Sequence, residues 1–351
     1  MKLRFSLACA VACLGLLLPG CSKPEALDYL PESQGYLTVN GQTAKEQAGM
    51  ARMMKVMEKL SPETGAAPEM QRMYLGFDAA IGSQPQFYGV VTGSPGMADQ
   101  MLTQLKSSGA TDTTAEGMPA VRTPEQQGMS GLIVKQSDSA VLIASGDGAL
   151  TKMVTTSKRK NPAAVNSPLF RQATANSGSH AVALTMNVAG YMEAAAPQLG
   201  MIAMMNPKGA EALKQVQTVS LFVDWAEQPK VALLASLNDP EARNNLAGLL
   251  NMGLQMAMAQ PGAAVPDFVK GIKAETNADG VQVELALPKE TADEMLAKLE
   301  KVAAELPADP KEREKALQEA LMGMIPTPPV GGGSPGMQPP AAPPVMGVPV
   351  Q

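Results

Sequence analysis

Cysteine and histidine are nearly missing from this chain. Its 351 residues hold three cysteines, Cys9, Cys13 and Cys21, and one histidine, His180. All three thiols fall within the first 21 residues, so the remainder has no pair for a disulfide, no thiolate metal site and no cysteine nucleophile. A single histidine excludes any multi-histidine metal site. Aromatic residues make up only 3%, so a core has to be built from Ala, Leu, Val, Ile and Met, and a sugar-stacking cleft has little to be made from. Positive charge is short as well. The 28 Lys and Arg against 33 Asp and Glu give a net charge of −5, and an acidic chain without a basic stripe is a poor nucleic-acid binder. Lys158, Arg159 and Lys160 form the one compact basic run, which reads as a solvated loop. Catalytic signatures are missing too. Gly93-Ser94-Pro95-Gly96 lacks the Gly-Lys-Ser/Thr ending of a phosphate loop. Ser179 sits in no G-x-S-x-G turn, and no zinc or calcium spacing occurs. After the N-terminus no apolar run is long enough to span a bilayer.

What is present begins at the N-terminus. Lys2 and Arg4 precede an apolar run over residues 5–18, broken only by Ser6 and Gly15, and the run ends in Leu18-Pro19-Gly20-Cys21. Short positive start, short apolar run, small residues and cysteine stand in the order of a cleaved export signal. The segment resembles the signal and lipobox of bacterial lipoproteins. That resemblance implies removal of residues 1–20, a diacylglycerol thioether on Cys21 and acylation of the new amino group. Two or three acyl chains anchor stably, because each buried methylene contributes about 0.8 kcal/mol. Ser22 follows, where an Asp would imply retention at the inner membrane. The resemblance therefore points to the outer membrane, facing the periplasm or the surface. Loss of Lys2 and Arg4 takes the net charge from −5 to −7.

Residues 21–34 read as a lipidated tether. Residues 326–351, dense in Pro and Gly, read as a disordered tail. Between them two α+β units are expected, over residues 35–160 and 161–325, because the same order of signals occurs twice. A strand feeds a helix (35–40 into 43–60; 179–187 into 189–202). A hairpin follows (73–78 with 87–92; 221–224 with 231–237), its first strand ending in Asp78 or Asp224 and its turn followed by Gln-Pro. Next, Ser94-Pro95 and Asp239-Pro240 open helices over 96–106 and 241–258, the cap oxygen meeting a free N–H of the first turn and Pro lacking one. A second hairpin closes each unit (131–135 with 140–145; 274–277 with 281–287), the latter across Asp279-Gly280, a tight-turn dipeptide. Helices over 148–156 and 290–306 come last. This repeated order argues for duplication. Hairpins interrupted by helices argue for α+β, each unit an antiparallel sheet with helices on one face. A final amphipathic helix is expected over 310–324, with Leu317, Leu321 and Met324 on one side.

Methionine is abundant, at 25 residues. Met50, Met53, Met54 and Met57 recur at helical spacing, and Met201, Met204, Met205 and Met252, Met256, Met258 form two more groups. Thioethers can ligate Cu(I), but helical stripes of Met are ordinarily packing, since the unbranched side chain fills gaps left by scarce aromatics. Between those readings lies an apolar groove lined by Met50, Met53, Met54, Met57, Met252 and Met256. His180 reads as a surface or strand-edge residue and Trp225 as core-edge packing. Asp78 and Asp224 could form a glycosidase pair, but Asp at a strand end is common turn chemistry, and equivalent residues of two repeats lie apart. With no nucleophile and base to nominate, no cofactor and no metal are expected. The function expected is that of a non-enzymatic envelope lipoprotein held on a membrane through Cys21. It would bind another envelope component, protein or lipid, and not nucleic acid. The alternative is a carrier of lipid or another apolar ligand in a Met- and Leu-lined groove.

Overall fold

A computed structural model of the protein describes residues 24–60, 69–78, 85–125, 130–190, 196–259 and 266–305. Cys21, the leader, the expected helix over 310–324 and the expected tail lie outside them. In chain order the elements are a 3-10 turn at Ala26–Tyr29, β1 Gly35–Asn40, α1 Gly41–Glu46, α2 Ala48–Leu60, β2 Met70–Asp78, β3 Gln86–Gly93, α3 Met97–Ser107, β4 Thr111–Ala115, β5 Met118–Arg122, β6 Leu132–Ser137, β7 Ala140–Ala144, α4 Asp147–Ser157 and α5 Pro168–Ser179. The second half continues with β8 Val182–Asn187, α6 Ala196–Met205, α7 Pro207–Lys214, β9 Thr218–Trp225, β10 Pro229–Ser236, α8 Pro240–Met258, α9 Asp267–Lys270, β11 Ala274–Thr276, β12 Gly280–Ala286 and α10 Lys289–Glu305.

The fold is α+β, as expected, and its strands form one antiparallel sheet of twelve in the order β11-β12-β10-β9-β8-β1-β2-β3-β7-β6-β5-β4. β1 and β8 pair at its middle, Leu37 opposite Leu184. Outward from that pair the order is β1-β2-β3-β7-β6 on one side and β8-β9-β10-β12-β11 on the other, with β4 and β5 added on the first side only. The two stretches expected as separate units therefore share a sheet. The boundary expected between residues 160 and 161 does not divide two cores: Phe170 and Ala173, beyond it, pack in one cluster with Tyr36, Tyr74 and Tyr88.

Helices stand on both faces of the sheet, not on one. Tyr36, Tyr74, Tyr88, Val90 and Leu142 point to the face covered by the 3-10 turn, α4 and α5. Val91, Val121, Ile133 and Val141 point to the opposite face, under Met97, Ala98 and Leu102 of α3. The reason is legible in the strands themselves. β6 and β7 open as Leu132-Ile133-Val134 and run as Ala140-Val141-Leu142-Ile143-Ala144, continuous apolar runs that need cover on both sides.

Three local expectations also change, and one hairpin is new. The tether begins to fold by Pro24, whose carbonyl accepts a hydrogen bond from Gln136, and Leu30 is fully buried in the main core. Leu27, Tyr29 and Leu30 bring too much apolar surface to remain a linker. The helix expected over 43–60 breaks at Gln47, whose side chain is taken by β9. The strand expected from residue 179 starts at Val182, because Ser179 ends α5, a helix with Pro168 in its first turn. The β4–β5 hairpin, poor in large apolar residues, turns at Glu116 and Gly117, both at positive φ.

Candidate functional site

Side chains of a strand alternate between faces, and antiparallel register lines those of one face into rows across the sheet. On the α3 face, Val283, Leu233, Leu221, Leu184, Leu37 and Leu75 are successive cross-strand partners on the six adjacent strands β12, β10, β9, β8, β1 and β2. The next row toward Trp225 is Leu285, Val231, Val223, Val182, Val39 and Met73. The row on the other side is Val281, Ala235, Val219, Met186, Gly35 and Phe77. A Cβ on Gly35 would fall 2.2 Å from the Phe77 ring, so glycine there lets the ring lie flat across the floor.

Helices cover the margins of this floor. α7 and α8 close one margin, packing Ala212, Leu246 and Ala247 over Val219, Ala235, Val281 and Val283. α2 and α10 close another, with Val56, Leu296 and Leu299 over Trp225. α3 closes the third, against Met73 and Val91. In the middle, Leu37, Val39, Val182, Leu184, Leu221, Val223 and Val231 are only half-buried, and Leu233 is 38% exposed. Among the described residues these eight side chains join none of the buried clusters. The result is an apolar trough, floored by strands and walled by helices.

The α2 wall is pinned by polar contacts at the end of β9. Gln47 donates through Nε2 to Asp224 Oδ1 at 2.7 Å, and its Oε1 accepts the Trp225 N–H at 2.6 Å. The Gly49 N–H reaches the Ala226 carbonyl at 3.2 Å, and the indole lies so close to Gly49 that a Cβ there would sit 2.0 Å from it. Asp224 also accepts the Ala181 N–H at 2.9 Å and lies 2.5 Å from His180 Nδ1, while the imidazole stacks on Phe222 at 4.3 Å between centroids. His180 therefore caps α5 and is half-buried, with a carboxylate partner. Burial alone would raise the Asp224 carboxyl, but hydrogen bonds from Gln47, His180 and Ala181 outweigh it and hold the group below the ordinary carboxylate range. A depressed carboxylate contributes stability that is present above its unfolded value, about 4, and lost as pH falls through its folded value. His180→Ala removes one of these bonds. Its acid unfolding, followed by circular dichroism from about pH 6 to about pH 2, is expected at higher pH than in the parent; an unmoved midpoint would rule out this role.

Asp78 anchors the other end of the sheet. Its Oδ1 accepts the Gln34 N–H at 3.0 Å, and its Oδ2 pairs with Lys152 at 2.8 Å. Lys152 Nζ also reaches the hydroxyl of Tyr88, 3.2 Å away. Burial pulls the Lys152 ammonium down, yet its bonds to Asp78 and Tyr88 prevail and leave it raised. Asp78 is level with Gln34 and Asp224 with Ala181, whose carbonyl meets the Asn40 N–H. Six residues of strand separate those levels, about 20 Å. That is well beyond the roughly 5–9.5 Å over which two carboxylates share a glycosidic bond.

The methionine groups fall on separate helices. Met50, Met53 and Met54 are half-buried on α2, where Met53 joins the Trp225 cluster; the side chain of Met57 lies outside the described residues. On α8, Met252 is half-buried and Met256 is 53% exposed. Both helices border the trough, but the two groups share no cluster. The floor, by contrast, is Leu and Val on strands. Its signal was the alternation of Val182-Leu184, Leu221-Val223 and Val231-Leu233, which marks one apolar face without saying what covers it. Among the described residues no three His, Cys, Asp or Glu side chains are grouped to hold a metal ion, and no helix is long and apolar enough to cross a membrane.

No family model matches the chain, and no curated protein matches it. Two solved structures, crystal forms I and IV of TP0453, are similar to it at 13% and 11% identity, covering 79% and 78% of this chain and 98% and 97% of theirs, with TM-scores of 0.43 and 0.41. At those values the likeness carries no argument about activity.

Proposed function

We propose that this protein is a non-enzymatic binding protein of the cell envelope, tethered to a membrane by lipid on Cys21, and that its sheet trough takes an apolar ligand. The observation behind this reading is the run of half-exposed aliphatic side chains on adjacent central strands, which no helix among the described residues covers. An uncovered apolar face is unfavourable in water by about 25 cal/mol for each Å², so a ligand that covers it is bound with that gain. Concave, mostly apolar surfaces are where small ligands bind.

Two measurements test the reading separately. The intact mass of membrane-purified protein reports the lipid on Cys21, and an unmodified thiol would remove the tether. For the trough, the mature chain carrying Cys21→Ser is purified and extracted with organic solvent, and the extract is analysed by mass spectrometry. About one apolar molecule per chain is expected. The Leu221→Asp, Leu233→Asp double variant places carboxylates on the floor and is expected to bind at least about tenfold more weakly, because an ionised group pays heavily for being covered by an apolar ligand. An empty extract, together with no displacement of a fluorescent fatty acid, would sink the proposal.

A second reading, docking onto an envelope protein, draws on Met204 and Met205 of α6 and Met256 of α8, which are 88%, 59% and 53% exposed. Crosslinking in cells from position 205 would support it by capturing one dominant partner that is lost when Met204 and Met205 become Lys.

A further inference from the structure

The occupant of the trough follows from its dimensions. The uncovered part of the floor runs from Leu285 to Val39, five strands or about 19 Å across the strands at about 4.8 Å spacing, and its two uncovered rows make it about 7 Å wide along them. That is roughly 130 Å², well short of the ~800 Å² per partner of a stable interface between two copies of a chain. The floor is also uneven. Val231, Val223, Val182 and Val39 are consecutive partners on four strands, flanked on one side by the longer Leu233, Leu221, Leu184 and Leu37. On their other side stands the α2–α10 wall over Trp225. The valine row is thus a furrow running perpendicular to the strands.

We infer that the furrow holds one extended, unbranched acyl chain lying across the strands, with its methyl end toward Met73 and its polar end leaving at Leu285. The inference rests on the apolar-ligand reading proposed for the trough. Its direction comes from the two ends of the row. At Met73 the furrow runs into the α3 cluster and is closed. At the other end, β11 pairs with β12 only from Val281 to Val283, so among the described residues no strand continues the sheet beyond Leu285. Its length comes from the carbon chain. A C–C bond of about 1.5 Å at a tetrahedral angle advances roughly 1.25 Å, so about 19 Å accepts about fifteen carbons.

The test is a chain-length series. Saturated fatty acids of ten to twenty-four carbons, kept below their aggregation concentrations, compete with a fluorescent fatty acid for the full mature chain carrying Cys21→Ser. Affinity is expected to rise by up to about fourfold for each added methylene and to level off at about fifteen carbons. A series flat from ten carbons upward would mean a chain lying along the strands, where the uncovered rows span only about 7 Å, and would overturn the inference while leaving the trough a binding site. A rise continuing to twenty-four would overturn it as well. No binding at any length would overturn the trough reading itself. Val223→Phe fills the middle of the furrow. With its thermal midpoint retained, it is expected to weaken eighteen-carbon binding at least about tenfold and to abolish the gain from added methylenes; an unchanged series in this variant would place the chain elsewhere.

Discussion

Tyr36→Ala is expected to lower the free energy of unfolding by about 3–5 kcal/mol, the range of large aromatic truncations in a packed core. Tyr36 is fully buried, and its ring meets Phe170 edge-on at 5.1 Å. Its hydroxyl accepts the Ser33 N–H at 2.8 Å and donates to the Pro31 carbonyl at 3.3 Å. One side chain therefore ties three parts of the chain: the segment before β1, the central strand, and α5, the helix that leads into β8. Tyr36→Phe separates the ring from the hydroxyl. It keeps the packing and strands the Ser33 N–H, so about 1–3 kcal/mol of loss is expected from it. Alkaline titration adds a second readout. Burial pushes the Tyr36 phenol up to about 12. Its contribution is fully present below the unfolded value of about 10 and is lost as pH rises through the folded value, so the parent should weaken over that window and Tyr36→Phe should weaken less. Urea unfolding of all three proteins at neutral and alkaline pH checks both points. A loss under about 1 kcal/mol in Tyr36→Ala would show that the three parts are held by something else.

The second large effect is expected at Gly49. A leucine there would drive its Cβ into the Trp225 indole, 2.0 Å away, at the start of α2. Overpacking of this kind costs about 1–3 kcal/mol where neighbours can yield. Here the indole is backed by α10 through Leu296 and Leu299, and the backbone of residue 49 is held to Ala226, so neither partner yields easily. α2 is expected to lift from β9, carrying Arg52 away from Glu300 and Asp293, its partners on α10. Because α2 and α10 wall the valine furrow, Gly49→Leu should weaken fatty-acid binding together with stability. Gly49→Ala serves as the graded control. Melting temperature and probe affinity measured on both variants should fall in the same order, leucine more than alanine. Normal binding in a destabilised Gly49→Leu protein would free the furrow from that wall.

Much of the fold could be read along the chain because its causes are local. Alternation over Val281, Val283 and Leu285 marked β12, and Asp279-Gly280 marked the turn before it. Asp239-Pro240 marked the start of α8, where the Asp239 carboxylate accepts the N–H groups of Glu241 and Ala242. The N-terminal signal is of the same kind, a linear order of charge, apolar run and cysteine that needs no fold to be recognised. Gln47 shows the opposite case. By propensity it belongs inside a helix, yet it breaks one, because Asp224 and the Trp225 N–H on a distant strand take its side chain.

The candidate site lies wholly on the second side of that division. Sequence alone determined that each central strand has an apolar face, since alternation is a property of neighbouring residues. It could not determine which of those faces remained half-bare. That was decided by where five helices came to rest: α3 over β3, β6 and β7, α7 and α8 over β10 and β12, and α2 with α10 over Trp225. An apolar strand face looks the same in sequence whether a helix covers it or a ligand does. The difference is made by packing between residues as far apart as Met53 and Leu299, contacts that exist only once the sheet has closed around the β1–β8 pair.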